Sequence, residues 1–198
     1  MVIRACFSVR VQVSAAAAAL AVALGPAGGS AARIGGLVVS SDGVAPGARI
    51  PAVYAYRGCV PGATNRSPRL AWRGAPTGTK SFAVTMFDPD APTGHGFWHW
   101  VMFDIPASAH GLAAGAGNRG SATTVVGAVL GHIDFGFSGY GGPCPPSGDR
   151  PHHYVITVRA LDVASVPGAT AATTGPELIA AMEGHILARG TLVGRFGR

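Results

Sequence analysis

Lysine is nearly missing from this 198-residue chain: Lys80 stands alone beside fourteen arginines, and charged residues make up only 12% of the sequence. The arginines are scattered and form no run or stripe, so the footprint of a nucleic-acid-binding protein is lacking and no nucleic-acid partner is expected. Cysteine is scarce, three in all. Cys6 precedes the N-terminal apolar run and cannot serve as a lipidated cysteine at a cleavage site, and neither Cys59 nor Cys144 belongs to a CxxC or CxxH pair, which removes the usual zinc spacings. A serine-hydrolase elbow is missing too. The nearest candidate, Gly136-Phe137-Ser138-Gly139-Tyr140, has tyrosine where GxSxG needs its last glycine. Beyond the N-terminus no apolar run approaches the roughly 20 residues that span a bilayer, so no membrane span is expected.

The first 32 residues read as an address rather than as part of the fold. Arg4 and Arg10 make a positive start, residues 11–24 are apolar and rich in alanine, and small residues fill 25–32. That is the pattern of a cleaved secretory signal peptide, with cleavage after Ala31 or Ala32. The alternative, a membrane anchor, has too short an apolar run. Domain organisation is then a signal peptide at 1–32 and one domain at 33–198, long enough for a single sizeable core. Loss of Arg4 and Arg10 lowers the formal charge from +6 to +4. The expected location is extracytoplasmic, secreted or periplasmic. An oxidising compartment invites a disulfide between Cys59 and Cys144; the other reading is a pair of buried free thiols acting as small apolar residues.

What the chain does have is glycine (30) and proline (15), spread between short apolar runs, which favours a mostly β fold with many turns. Strands are expected at 34–40, 52–56, 70–72, 81–87, 98–105, 123–130, 153–160 and 191–195. One helix is expected at 176–188, with Thr174 as cap, Pro176 in the first turn and Gly190 as its stop.

Two polar constellations stand out. Residues 86–106, MFDPDAPTGHGFWHWVMFDIP, read as two strands joined by a loop that carries Asp88, Pro89, Asp90, Pro92 and Gly94, with His99 on the returning strand. Strand alternation puts Trp98 and Trp100 together on the face opposite His99. Some fifty residues on, GGPCPPSGDRPHHYV at 141–155 supplies Pro145, Pro146, His152 and Tyr154, with His153 turned to the far face. The two segments are expected to wall one small polar pocket. His99, His152 and the Tyr154 hydroxyl can donate hydrogen bonds to an anion, while Asp88 or Asp90 can orient an imidazole by accepting its N–H. The prolines stiffen the walls and lower the entropy cost of holding a small ligand.

These motifs resemble those of the phosphatidylethanolamine-binding protein family, and more closely its bacterial YbhB/YbcL-type Raf kinase inhibitor-like branch. The resemblance rests on DPDAPTG at Asp88, HW at His99, GYGGPCPP from Gly139 and HHY from His152, and extends through NRSPRLAW, GTKS and GHIL over nearly all of 33–198. It implies a β-sandwich-like fold with a few peripheral helices, one of them near the C-terminus. It also implies a non-catalytic pocket for phosphate or phospholipid headgroups, with no cofactor. Residue by residue it carries over Asp88, Asp90, His99, Pro145, Pro146, His152 and Tyr154 as ligand-binding positions. The arginine that eukaryotic members place after the DPDAP loop is replaced by Thr93-Gly94. Two other functions compete: a metal-dependent hydrolase using the Asp/His cluster, and an inhibitor-like protein that modulates a kinase or protease partner. The bacterial likeness allows a homodimer.

Overall fold

The computed structural model describes residues 36–198; the signal-peptide reading of 1–32 and the start of the expected first strand lie outside the described residues. Ten strands and one α-helix follow in order: β1 (Val38–Ser40), β2 (Leu70–Arg73), β3 (Ser81–Asp88), β4 (Phe97–Pro106), β5 (Gly111–Leu112), β6 (Val129–Leu130), β7 (His132–Ile133), β8 (Phe137–Ser138), β9 (His152–Leu161), α1 (Gly175–Ala181) and β10 (Ile186–Phe196). They build an antiparallel five-stranded sheet, β10-β9-β3-β4-β6, a smaller sheet, β1-β2-β5, and the β7-β8 pair. Neither of the larger sheets closes on itself, and the fold is mostly β, a sandwich.

Period-two alternation decides what each strand buries. Phe82, Val84 and Met86 on β3 face the same core as Tyr154, Ile156 and Val158 on β9, and Leu70, Trp72 and Leu112 close it from the smaller sheet. Each such side chain contributes about 1.5–3 kcal/mol by leaving water. Gly190 lets the layers touch, since a Cβ there would sit 2.2 Å from the Leu37 carbonyl oxygen. The opposite face of the large sheet is covered by a second cluster, in which Val101 and Phe103 meet Leu178 and Met182.

The β3–β4 pairing is irregular in a way that alternation could not foresee. Met86 stands opposite Trp100 and Phe87 opposite Trp98, so His99 is the extra residue of a β-bulge. The bulge separates the two tryptophans. Trp98 packs against Phe87 and the second cluster, whereas Trp100 joins the main core with Tyr154, the ring that His99 itself contacts. The expectation that both tryptophans lie opposite His99 is therefore corrected.

The helix is shorter than the expected 176–188. Thr174 and Glu177 form the capping box and Pro176 sits in the first turn, but the helix ends at Ala181 and Gly184 takes φ +82°. Ile186 and Leu187 belong instead to β10, because pairing with β9 satisfies their backbone over a much longer ladder. Residues 52–56 are likewise not a strand: Ala52–Tyr54 is a single 3-10 turn. Of 123–130 only Val129–Leu130 pairs. All peptide bonds of the described residues are trans, those before proline included. Cys59 and Cys144 form a disulfide with Cα atoms 5.6 Å apart.

Candidate functional site

At one end of the large sheet, where β3 stops and β9 begins, the inward face turns polar. Asp88 follows Met86 on the same side of β3, and His152 precedes Tyr154 on the same side of β9. Together with His99 at the bulge they floor a cavity of about 270 Å³, walled by Pro92, Phe97, Phe135, Cys144, Pro145 and Pro146. Asp88, His99, His152 and Tyr154 are all at least 96% buried.

The polar groups are tied to one another. His152 Nδ1 lies 2.8 Å from Asp88 Oδ2, so its N–H donates to the carboxylate, and its Nε2 is 3.4 Å from Asp149 Oδ2. Asp88 Oδ1 accepts the Asp90 N–H at 2.9 Å, which closes the turn after β3. His99 is clamped at two points: Gly141 N–H donates to the His99 carbonyl, and His99 Nδ1–H donates to the Gly141 carbonyl at 2.8 Å. With Nδ1 carrying the proton, Nε2 is left as a lone pair 4.0 Å from Asp88 Oδ2. Burial pushes the His99 pKa down to about 4, against the smaller opposing pulls of the Gly141 carbonyl and Asp88. At neutral pH His99 is thus an acceptor toward the cavity, not the donor expected from its residue type.

Tyr154 completes the floor. Its hydroxyl is buried beside Asp88 without a hydrogen bond of good geometry, and burial first, then the Asp88 charge, raises its pKa. Aromatic rings surround these groups: Phe97 lies 5.0 Å from His99, and Phe135 meets both edge-on.

Asp90 does not line the cavity. It turns outward past the end of β3, where Oδ2 accepts from the His153 backbone N–H at 2.8 Å and from His153 Nδ1 at 2.7 Å, and Oδ1 accepts from Arg150 at 3.1 Å. The His153 N–H, then its ring, hold the Asp90 carboxyl below its ordinary pKa. The other six carried-over residues, Asp88, His99, Pro145, Pro146, His152 and Tyr154, share the cavity wall.

The pattern of the phosphatidylethanolamine-binding protein family matches residues 40–197. The chain belongs to that family. Among its phosphatidylethanolamine-binding protein relatives, the UPF0098 protein YbcL of Escherichia coli K12 is 46% identical over 129 residues, 65% of this chain and 70% of YbcL. UPF0098 protein YbhB of the same organism is 41% identical over 141 residues, 70% of this chain and 87% of YbhB. The crystal structure of E. coli YbcL, described as a new member of the mammalian PEBP family, superposes with a TM-score of 0.78 at 38% identity, covering 83% of this chain and 99% of that one. LppC of Mycobacterium tuberculosis, named as a candidate lipoprotein, is 33% identical over 160 residues, 80% of this chain and 73% of LppC.

Sequence reasoning missed three contributors to this phosphatidylethanolamine-binding protein cavity. Phe97 was within reach of it, because it stands two residues before His99 on one strand. Phe135 sits in a glycine-punctuated loop with no periodicity to announce it. The third is the Asn65-Arg66-Ser67 segment, which the sequence suggests is plain loop. Asn65 takes φ +61°; its Nδ2 donates to the Tyr140 carbonyl and its Oδ1 accepts the Gly142 N–H at 2.7 Å. That fixes the strand of chain holding His99. Asn118 Nδ2 donates to the Asn65 carbonyl, and the Ser67 hydroxyl accepts the Gly117 N–H. Among the described residues no three His, Cys, Asp or Glu side chains converge as a metal site would require, and no helix is long and apolar enough to cross a membrane.

Proposed function

We propose that the cavity binds a phosphate-type anion, free or as a phospholipid headgroup, without turning it over. The observation that carries this is the Tyr154 hydroxyl, a buried donor at the cavity floor that makes no hydrogen bond of good geometry within the protein. Leaving such a group unpaired costs about 1–3 kcal/mol, and a ligand oxygen would recover it. His99 Nε2, as an acceptor, suits a protonated phosphate oxygen or a headgroup ammonium rather than a fully ionised phosphate. Asp88 acts through His152, accepting its Nδ1–H and so holding its ring against the cavity. The aromatic and proline walls exclude water and keep the site rigid, so little ordering is needed on binding. In this reading the protein works outside the cytoplasm, after loss of 1–32, as a headgroup-binding protein that can modulate a partner.

Calorimetry with inorganic phosphate and O-phosphoethanolamine tests the proposal. Tyr154→Phe removes one donor and weakens binding about threefold to a hundredfold. Equal affinity of wild type and Tyr154→Phe for both compounds puts the anion elsewhere, and release of phosphate from O-phosphoethanolamine by the purified protein replaces binding with hydrolysis.

A further inference from the structure

A larger and chemically different concavity lies on the other side of Phe135. Its volume is about 660 Å³, and Tyr56, Arg57, Thr64, Arg66, Arg119 and Phe137 form its rim over a floor of Asn65 and Asn118. No carboxylate lines it. Arg57, Arg66 and Arg119 are exposed, and none forms an ion pair among the described residues, although Arg69 and Arg150 each have an aspartate partner. Arg57 makes one hydrogen bond, to the Thr64 carbonyl at 3.3 Å, which leaves most of its donors free. The nearest acid along the chain, Asp134, accepts the Trp98 N–H instead.

Three guanidinium groups from two loops, Arg57 and Arg66 from the one before β2 and Arg119 from the one after β5, repel one another in a groove without a counter-charge unless an anion joins them. The fold spends its polar side chains on bringing them there. The Asn118 amide donates to the Asn65 carbonyl and accepts from the Ser67 N–H, and the Asn65 amide donates to the Tyr140 carbonyl and accepts from the Gly142 N–H, so the backbones beside Arg66 and Arg119 are held rather than free. The aromatic rim is equally fixed: Tyr56 stacks on Phe135 with centroids 4.4 Å apart, and Phe137 stacks on its neighbour at 6.0 Å. We propose that this groove is a second anion site, selective for clustered phosphates such as a di- or triphosphate chain. Planar guanidinium forks grip phosphate oxygens in pairs, and three of them need more negative charge than one phosphate provides. The groove's openness makes the binding sensitive to salt.

Titration of the full chain with inorganic triphosphate is the test. Wild-type protein binds it with an affinity that falls as salt rises; Arg57→Ala, Arg66→Ala and Arg119→Ala each weaken it about tenfold, and Arg66→Lys loses less than Arg66→Ala. These are exposed side chains, so the variants keep their fold, which circular dichroism checks. Vesicles of phosphatidylglycerol in phosphatidylcholine identify the source. Vesicle binding that triphosphate competes away and the triple alanine variant lacks assigns the groove to lipid phosphates; triphosphate binding without vesicle binding assigns it to a soluble polyphosphate. Equal triphosphate affinity in wild type and triple variant overturns the proposal. So does loss of triphosphate binding in Tyr154→Phe, which would place the anion in the smaller cavity.

Discussion

Two aspartates stand two residues apart, and each pairs with one of two consecutive histidines: Asp88 with His152 and Asp90 with His153. The chemistry is the same and the surroundings are not. In the inner pair both side chains are 3% exposed, whereas in the outer pair Asp90 is 14% and His153 40% exposed. Water screens the outer pair and competes for its hydrogen bonds; the inner pair interacts through protein, where attraction and the penalty for breaking it are both larger. The difference arises because β3 ends at Asp88, so the period-two rule that points Asp88 inward no longer governs Asp90 in the turn. One polar dipeptide can thus serve a ligand site and a surface staple at once.

The largest test of this contrast is removal of each carboxylate. Asp88→Ala takes the acceptor from both the buried His152 N–H and the Asp90 N–H and lowers unfolding free energy by roughly 3–6 kcal/mol, at about 1.5–3 for each hydrogen bond to a charged group, while Asp90→Ala costs about 1 kcal/mol. Urea titrations of both variants measure it, and equal losses would erase the distinction. Next comes the staple behind the inner site. Cys144 is part of the cavity wall and closes an 85-residue loop with Cys59. Replacing both by serine lowers stability by roughly 2–4 kcal/mol and loosens the inner site far more than the outer pair, which hydrogen exchange at His153 and Gly141 would separate.

Acid should act on the two regions in different windows. The pKa of His99 is held near 4 in the folded protein and is close to 6.5 when unfolded, so between these values the unfolded chain binds more protons and stability declines as pH falls. The decline is on the order of 3 kcal/mol, and His99→Gln removes it. Asp90, depressed from 3.8, contributes stability above that value and loses it only as pH falls further, through its folded pKa. Thermal melts across pH 3–7 in wild type, His99→Gln and Asp90→Asn check the order of these windows. A single transition moved by neither variant would mean that other groups govern acid unfolding.

The smallest effect has the opposite sign. Tyr154→Phe takes away a buried hydroxyl that has no partner, so the ligand-free protein gains about 1 kcal/mol even as its phosphate affinity drops. Loss of both stability and affinity would show that the hydroxyl is already satisfied without ligand.

Much of the fold could be read from the chain. The alternation of Tyr154, Ile156 and Val158 marks β9 because burial on one side repeats every two residues, and Phe82, Val84 and Met86 mark β3 in the same way. The helix was legible at its start, where Thr174 caps and Pro176 suits the first turn. Its end was not, because Ile186 and Leu187 continue an apolar spacing that suits either helix or strand, and the choice belongs to the β9 ladder. Phe135 and the Asn65–Asn118 bond escaped notice for a related reason: partners 53 residues apart in sequence leave no local pattern.

By itself the sequence determined the family, through ordered motifs that run along most of the chain, and a β-rich fold and most of the cavity's polar inventory, through residue types and short-range periodicity. Tertiary structure alone decided that Asp88 and not Asp90 faces the cavity, that a bulge sets His99 beside Tyr154 and parts the two tryptophans, and that His99 offers a lone pair where a donor was expected. Each of these depends on strand register or on a hydrogen bond to distant backbone, and burial then turns that geometry into a protonation state.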